Sequence, residues 1–352
     1  MEKIYDVLII GGGQSGLANA YYLRRAKLDY LILDEQETCG GAWNKAWDSL
    51  TLFSPADHSS LPGWPLPKSD AVFPRRMEVV NYLCEYIKHY QLPIQSNTKV
   101  ETVSKENGIF TVSTNKGNFS AKSIIAATGT WGNPFIPKVD GLDSFQGSQL
   151  HSAFYKNALG FENKTVLVVG EGNSGAQIVA EVSMVADVKW STRKEPRFLP
   201  DDVDGFDLFN TATAKFNAEK AGIPYNAANY DLSSIVMVQS VKDARERGVL
   251  KSLGSINHFY DKGVVWSNGN KTDLDAIIWC TGFGYNTFYL KGLVTIDERG
   301  ITPTIETKST EMEGLWLSGF GNWTGFASAT LIGINRNAKQ TVAEIIDFLS
   351  KS

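Results

Sequence analysis

The chain has 352 residues, room for two domains at about 150 residues each, and its 43% hydrophobic and 20% charged residues suit an ordinary buried core. A net charge of −4 with no basic block argues against nucleic-acid binding. No apolar run reaches the roughly 18 residues of a membrane span, so no membrane association is expected.

In chain order, Tyr5–Ile10 reads as a buried parallel strand that ends in the glycine turn Gly11-Gly12-Gly13-Gln14-Ser15-Gly16. The strand starts so near the N-terminus that no signal peptide is expected. A helix over Leu17–Ala26 and a strand over Tyr30–Leu33 follow, with Asp34 at the strand's end. This strand-helix-strand context is what a glycine fingerprint needs to carry meaning. Residues Trp43–Pro74 are rich in Trp, Pro and Ser and have no sustained period; long loops of this kind are often functional. Met77–Tyr90 has helical spacing, Lys99–Val103 and Ile109–Ser113 alternate like antiparallel strands, and Ser123–Ala127 is a buried strand before Thr128-Gly129.

The plan then repeats at a constant offset of 159 residues. Val166–Val169 leads into Gly170-Glu171-Gly172-Asn173-Ser174-Gly175, a helix over Gly175–Val185, and a strand over Val188–Thr192 that ends at Arg193. Asp201–Arg247 holds several helix-like stretches. Ala276–Trp279 is a strand before Cys280-Thr281-Gly282, so Thr-Gly closes both units. Gly314–Leu349, a strand, a glycine-rich turn and a helix, is expected to return to the first domain. The expected fold class is α/β with two Rossmann-like dinucleotide-binding domains, the second inserted into the first. The expected boundaries are 1–158 for the first domain, 159–284 for the second and 285–352 for the return segment of the first.

The residue eighteen places after the last fingerprint glycine is Asp34 in one unit and Arg193 in the other. An acid there accepts hydrogen bonds from a free ribose diol, and a cation favours a 2′-phosphate. The first site therefore reads as FAD and the second as NADPH, with some tolerance of NADH. Gly11, Gly13 and Gly16, and likewise Gly170, Gly172 and Gly175, permit the tight turn, the approach of a pyrophosphate and close helix–strand packing. Gln14, Ser15, Asn173 and Ser174 complete the turns. Glu35 stands beside Asp34 as an alternative ribose partner, and Lys194 gives a second cation beside Arg193. Gly41, Trp43, Val100, Thr128, Gly129, Thr281 and Gly282 are further expected cofactor contacts. Trp43 reads equally as a core anchor.

The three cysteines, Cys39, Cys84 and Cys280, lie far apart with no Cys-x-x-Cys. That fits a reducing cytoplasm and argues against a redox-active disulfide of the thioredoxin reductase type. The four histidines have no metal-ligand spacing, and no metal site is expected. Nor does any Ser/His/Asp arrangement or carboxylate pair point to hydrolysis.

Set beside one another, these pieces resemble the flavin-containing monooxygenases and their Baeyer–Villiger relatives over nearly the whole chain. The most distinctive match is Phe145-x-Gly147-x-x-x-His151-x-x-x-Tyr155-Lys156, although Gly160 stands where the family has Pro or Asp. Gly40-Gly41-Ala42-Trp43 and Asp275–Phe283 also match. Trp47–Pro55 resembles a compact bacterial group, some encoded beside arsenic- or metal-resistance genes. The resemblance implies reduction of FAD by NADPH and addition of O2 at flavin C4a. One oxygen atom of the resulting (hydro)peroxide then passes to a sulfide, amine or arsenical, or enters beside a ketone. Phe53 stands where eukaryotic-type members place a flavin-facing Asn. With Ser54 and Trp323 it is expected near the flavin, and Trp323 reads also as core. Phe53 also opens an alternative, an NAD(P)H oxidase or reductase that makes peroxide or passes electrons to a partner. No side chain is singled out as catalytic. His151 reads as an interdomain hinge that senses nicotinamide or as a packed linker residue. The expected partners are a small molecule and O2, with a homodimer as the expected assembly.

Overall fold

The computed structural model describes residues 3–225 and 234–351. Contacts divide the chain into two compact units, residues 1–45, 55–133 and 283–352, and residues 46–54 and 134–282. Among the described residues no helix is long and apolar enough to cross a membrane.

In the first unit, Ile4–Ile10 is the central strand. It pairs in parallel with Tyr30–Leu33 on one side and Gly117–Ala126 on the other. Leu315–Leu317 extends the parallel sheet beyond Gly117–Ala126, and Ile94–Gln95 extends it beyond Tyr30–Leu33. Val7, Leu8, Ile9, Ile32, Ile124 and Ile125 are fully buried. Burial on both faces is why these strands read as continuous apolar runs. After Ile10 the chain moves to one side of the central strand and later returns on the other. That reversal opens a crevice at the carboxyl ends of the strands, where open α/β sheets bind ligands.

The strand expected over Ser123–Ala127 spans Gly117–Ala126 instead. Its first half pairs antiparallel with Ile109–Thr114, which in turn pairs with Val100–Glu106. That half is exposed or half-buried as far as Ser120 and gives no continuous apolar signal. The Gly314–Leu349 segment does pack in this unit. Its strand joins the sheet, and Ile334–Lys351 is its helix.

In the second unit, Thr165–Val169 lies between Ala276–Trp279 and Asp187–Ser191, all parallel. Ser148–His151 completes the edge beside Ala276–Trp279. Because that strand pairs here, contacts divide the chain after Asn133 and not near the expected 158. A separate antiparallel sheet of Ile256–Tyr260, Gly263–Trp266 and Lys271–Asp273 packs its aromatic residues against Phe145 and Trp279. Within Asp201–Arg247 the helices are Gly205–Ala221 and Gln239–Glu246, and residues 226–233 lie outside the described residues.

Candidate functional site

Both glycine turns sit at the carboxyl end of a central strand and lead into a helix, Gln14–Arg25 in the first unit and Asn173–Val182 in the second. Neither helix has a side-chain cap or an acid in its first turn. Their first backbone N–H groups, which have no partner within a helix, are thus available to an anion, and the helix dipole favours one.

The first and last glycines of each fingerprint are required by contact. Gly11 has φ +108°, and a Cβ there would meet the Ala127 carbonyl oxygen at 2.6 Å; Gly170 has φ +136°, and a Cβ would meet the Cys280 carbonyl oxygen at 2.2 Å. A Cβ on Gly16 would lie 2.0 Å from the Gly11 oxygen, and one on Gly175 would lie 2.3 Å from the Gly170 oxygen. Each turn is thus pressed between its own helix and the strand end that precedes Thr-Gly. These turns, closed against backbone at both ends, fit a pyrophosphate held by backbone N–H groups.

Around the first turn, Asp34 is buried. Its carboxylate accepts the Gly12 N–H at 3.1 Å and the Gln36 N–H at 3.0 Å. Burial raises its pKa, against the lowering effect of those two donors. Glu35 pairs with Lys45 at 3.0 Å. Both line an open groove of about 490 Å3 together with Gln36, Glu37, Asn97 and Lys99. Gly41 has φ +56°, and a Cβ there would lie 2.8 Å from the Gly13 Cα. The Trp43 indole N–H donates to Gln14 Oε1 at 3.1 Å, so the Gly40-Gly41 loop is seated on the fingerprint turn. Val100 packs against the sheet's core.

Several expected site side chains are committed to the protein. Ser15 Oγ donates to Ser318 Oγ at 3.2 Å, inside a buried network with Asn19 and Asn337 that ties the first helix to the return segment. The Thr128 hydroxyl donates to the Asn286 carbonyl and lies 3.3 Å from Tyr289 Oη. Thr281 donates to the Phe135 carbonyl, and the Asn173 side-chain oxygen accepts the Val236 N–H at 2.8 Å. What these residues leave facing a ligand is backbone. Trp323 packs on Phe320 and Tyr285, with ring centres 5.2 and 4.8 Å away. Phe53 and Ser54 belong to the second unit, where the Phe53 carbonyl accepts the Gly205 N–H.

Two features were not anticipated. The Gly170 carbonyl accepts the indole N–H of buried Trp190 at 2.8 Å, so a tryptophan braces the second turn from below. A Trp within a strand reads as core, and its donor gives no separate signal. Gly319, with φ +88°, lies against Ser15, where a Cβ would come 2.4 Å from the Ser15 Cβ. The Ser-Gly pair after a short strand was the available clue.

The cysteine expectation needs correction. Cys39 and Cys84 form a disulfide, which departs from the reduced state expected of widely spaced cysteines. Separation in sequence was a poor guide, because the Gly40 loop folds back against the helix Arg76–Tyr90. The bond spans 45 residues, and closing a loop of that size contributes roughly 2–4 kcal/mol. Denaturation with and without a phosphine reductant is expected to show a loss of that order, and Cys84→Ser the same loss with no response to reductant. Cys280 is the free cysteine, and burial pushes its thiol up to about 12, so it is a poor nucleophile.

Within the motif from Phe145 to Lys156, Gly147 and His151 contact their own unit. Gly147 lets the Phe145 ring fold over it, since a Cβ would lie 2.3 Å from that ring. His151 is buried, with Nδ1 accepting the Ala153 N–H at 3.1 Å and Nε2–H donating to the Gly282 carbonyl at 3.0 Å. That pairing fixes a neutral ring. Burial lowers its pKa below 6.5, only partly opposed by the Gly282 bond. Above about 6.5 the ring is neutral in both folded and unfolded chains, and its contribution to stability is intact. As pH falls through 6.5 the unfolded chain takes up the proton first, and stability is lost. His151→Gln keeps a donor to Gly282 without titrating. Its melting temperature is expected to fall less than that of the wild type between pH 7 and pH 5.

Comparison with known proteins places these features in company. Residues 8–204 match the pyridine nucleotide-disulphide oxidoreductase family. A flavin-containing monooxygenase from Stenotrophomonas maltophilia is 43% identical, with a TM-score of 0.90 over 99% of this chain and 100% of that one. An uncharacterized CzcO-like oxidoreductase of Geobacillus kaustophilus is 30% identical over 99% of this chain and 100% of its own length. A probable indole-3-pyruvate monooxygenase of Arabidopsis thaliana, YUCCA1, is 26% identical over 98% of this chain and 90% of its own.

Proposed function

The chain belongs to the pyridine nucleotide-disulphide oxidoreductase family and, within it, to the flavin-containing monooxygenases. From that premise we propose that it holds FAD at the first fingerprint and NADPH at the second, and that it oxygenates a small soft nucleophile or a ketone. The observation that carries the reading is the pair of backbone cradles at offset 159, with Asp34 at one ribose end and Arg193 and Lys194 at the other. When bound, FAD supplies the acceptance of hydride and the activation of O2. The protein's share is binding. The first turn and the uncapped helix at Gln14 hold the flavin pyrophosphate, and Asp34 accepts ribose hydroxyls from its buried position. The second turn does the same for the nicotinamide cofactor, where Arg193, its side chain 89% exposed, meets the 2′-phosphate. The fixed neutral His151 holds the Thr281-Gly282 turn in place and exchanges no proton.

The test is NADPH consumption with and without methyl tolyl sulfide, with sulfoxide and peroxide both measured. Sulfoxide formed in proportion to NADPH supports the monooxygenase. Full conversion of NADPH to peroxide across sulfides, amines and ketones would reject it in favour of an oxidase, the alternative that Phe53 raises. For the cofactor, kcat/KM is expected to favour NADPH, and Arg193→Ala to reduce that preference. An NADH preference unchanged in Arg193→Ala contradicts the phosphate assignment.

A further inference from the structure

The two ribose ends are built with the carboxylate on opposite segments. In the first unit the acid comes from the strand end, where Asp34 accepts the N–H of Gly12 at 3.1 Å. The turn cannot carry a side chain there, since a Cβ on Gly12 would lie 2.3 Å from Asp34 Oδ2. At the positions 159 residues later the arrangement is reversed: the turn carries Glu171 and the strand ends in Arg193. Glu171 Oε2 accepts the backbone N–H of Arg193 at 2.9 Å and that of Lys194 at 3.2 Å. Its Oε1 lies 3.6 Å from Arg193 Nη2, while the Arg193 side chain is 89% exposed. The change from Asp34 to Arg193 therefore does not remove negative charge from the ribose edge. It moves the carboxylate from the strand to the turn and adds a cation outside it.

We propose that Glu171 is a specificity-determining residue of the second site. Its carboxylate offers the acceptor that a free adenosine ribose diol needs and opposes the doubly charged 2′-phosphate, so Glu171 admits NADH and limits the preference for NADPH that Arg193 and Lys194 create. The proposal rests on reading the second fingerprint as the nicotinamide-cofactor site.

The probes are 5′-AMP and 2′,5′-ADP, which differ only in the 2′-phosphate, titrated calorimetrically into the flavin-loaded protein. Glu171→Gln keeps an oxygen to accept the Arg193 and Lys194 N–H groups and removes the charge. It is expected to raise the preference for 2′,5′-ADP over 5′-AMP roughly five- to tenfold, with the NADPH/NADH ratio of kcat/KM moving the same way. The exchange Glu171→Gly with Arg193→Asp, which restores the arrangement of the first unit, is expected to retain 5′-AMP and lose most binding of 2′,5′-ADP. Both fragments binding with an unchanged ratio in Glu171→Gln would overturn the role of Glu171 and leave the site assignment standing. If neither fragment binds the wild-type protein, the site assignment itself fails, and this proposal with it.

Discussion

Gly16→Ala is expected to purify without flavin, whereas Gly175→Ala is expected to purify yellow but to resist reduction by NADPH. The two substitutions are the same change at equivalent places. In each, the new Cβ meets a backbone carbonyl, at 2.0 Å from the Gly11 oxygen or 2.3 Å from the Gly170 oxygen. Backbone on both sides leaves no flexible side chain to move aside, so the helix must shift away from its turn. Such overpacking costs roughly 1–3 kcal/mol, and the shift displaces the N–H groups that hold the pyrophosphate. A loss of about 3 kcal/mol lowers affinity about a hundredfold, enough to separate the ligand during purification or at assay concentrations. Flavin content read from the absorption spectrum, and the rate of flavin reduction under anaerobic conditions, check the pair. The dissociation between the two variants is the informative part, since a general folding defect would abolish both properties in both proteins.

Asp34→Ala is expected to carry the next largest effect. The carboxylate satisfies two backbone donors, the buried Gly12 N–H and the half-buried Gln36 N–H. Removing it leaves each donor without its acceptor, at a cost of about 1–3 kcal/mol for each buried group, in addition to the lost bonds to ribose. The folded protein should lose stability, and its affinity for FAD should drop at least tenfold. Asp34→Asn is expected to fall between, because an amide oxygen accepts one donor while its NH2 group faces the other. Equilibrium dialysis of the apoprotein against FAD gives both values. Because burial raises the Asp34 pKa, the ionised acceptor is lost first as pH falls. FAD retention is therefore expected to weaken on acidification in the wild type and to be less pH-sensitive in Asp34→Asn.

The parts of the fold legible in sequence are those where one local rule dominates. Val7–Ile10, Tyr30–Leu33, Val166–Val169 and Ala276–Trp279 are largely buried and show as unbroken apolar runs. The first and last glycines of each fingerprint are legible because a Cβ is excluded there. The helices begin at Gln14 and Asn173, earlier than apolar periodicity suggested, since their first turn faces the crevice and carries polar residues. Ser148–His151 is exposed for half its length and is fixed only by its pairing with Ala276–Trp279, which no local pattern encodes. The Cys39–Cys84 bond and the contact of Glu171 with Arg193 likewise arise from tertiary folding. The sign reversal between Asp34 and Arg193 was visible in sequence. Its offset by Glu171 was not, because a variable position inside a glycine turn carries no expectation until its partner is known.

The most direct test of the account is anaerobic titration of the purified yellow protein with NADPH, followed at the flavin absorption band. About one equivalent is expected to bleach the band, and air to restore it. No bleaching by excess NADPH or NADH in protein that retains its flavin would contradict it, and would leave two dinucleotide folds that do not exchange electrons.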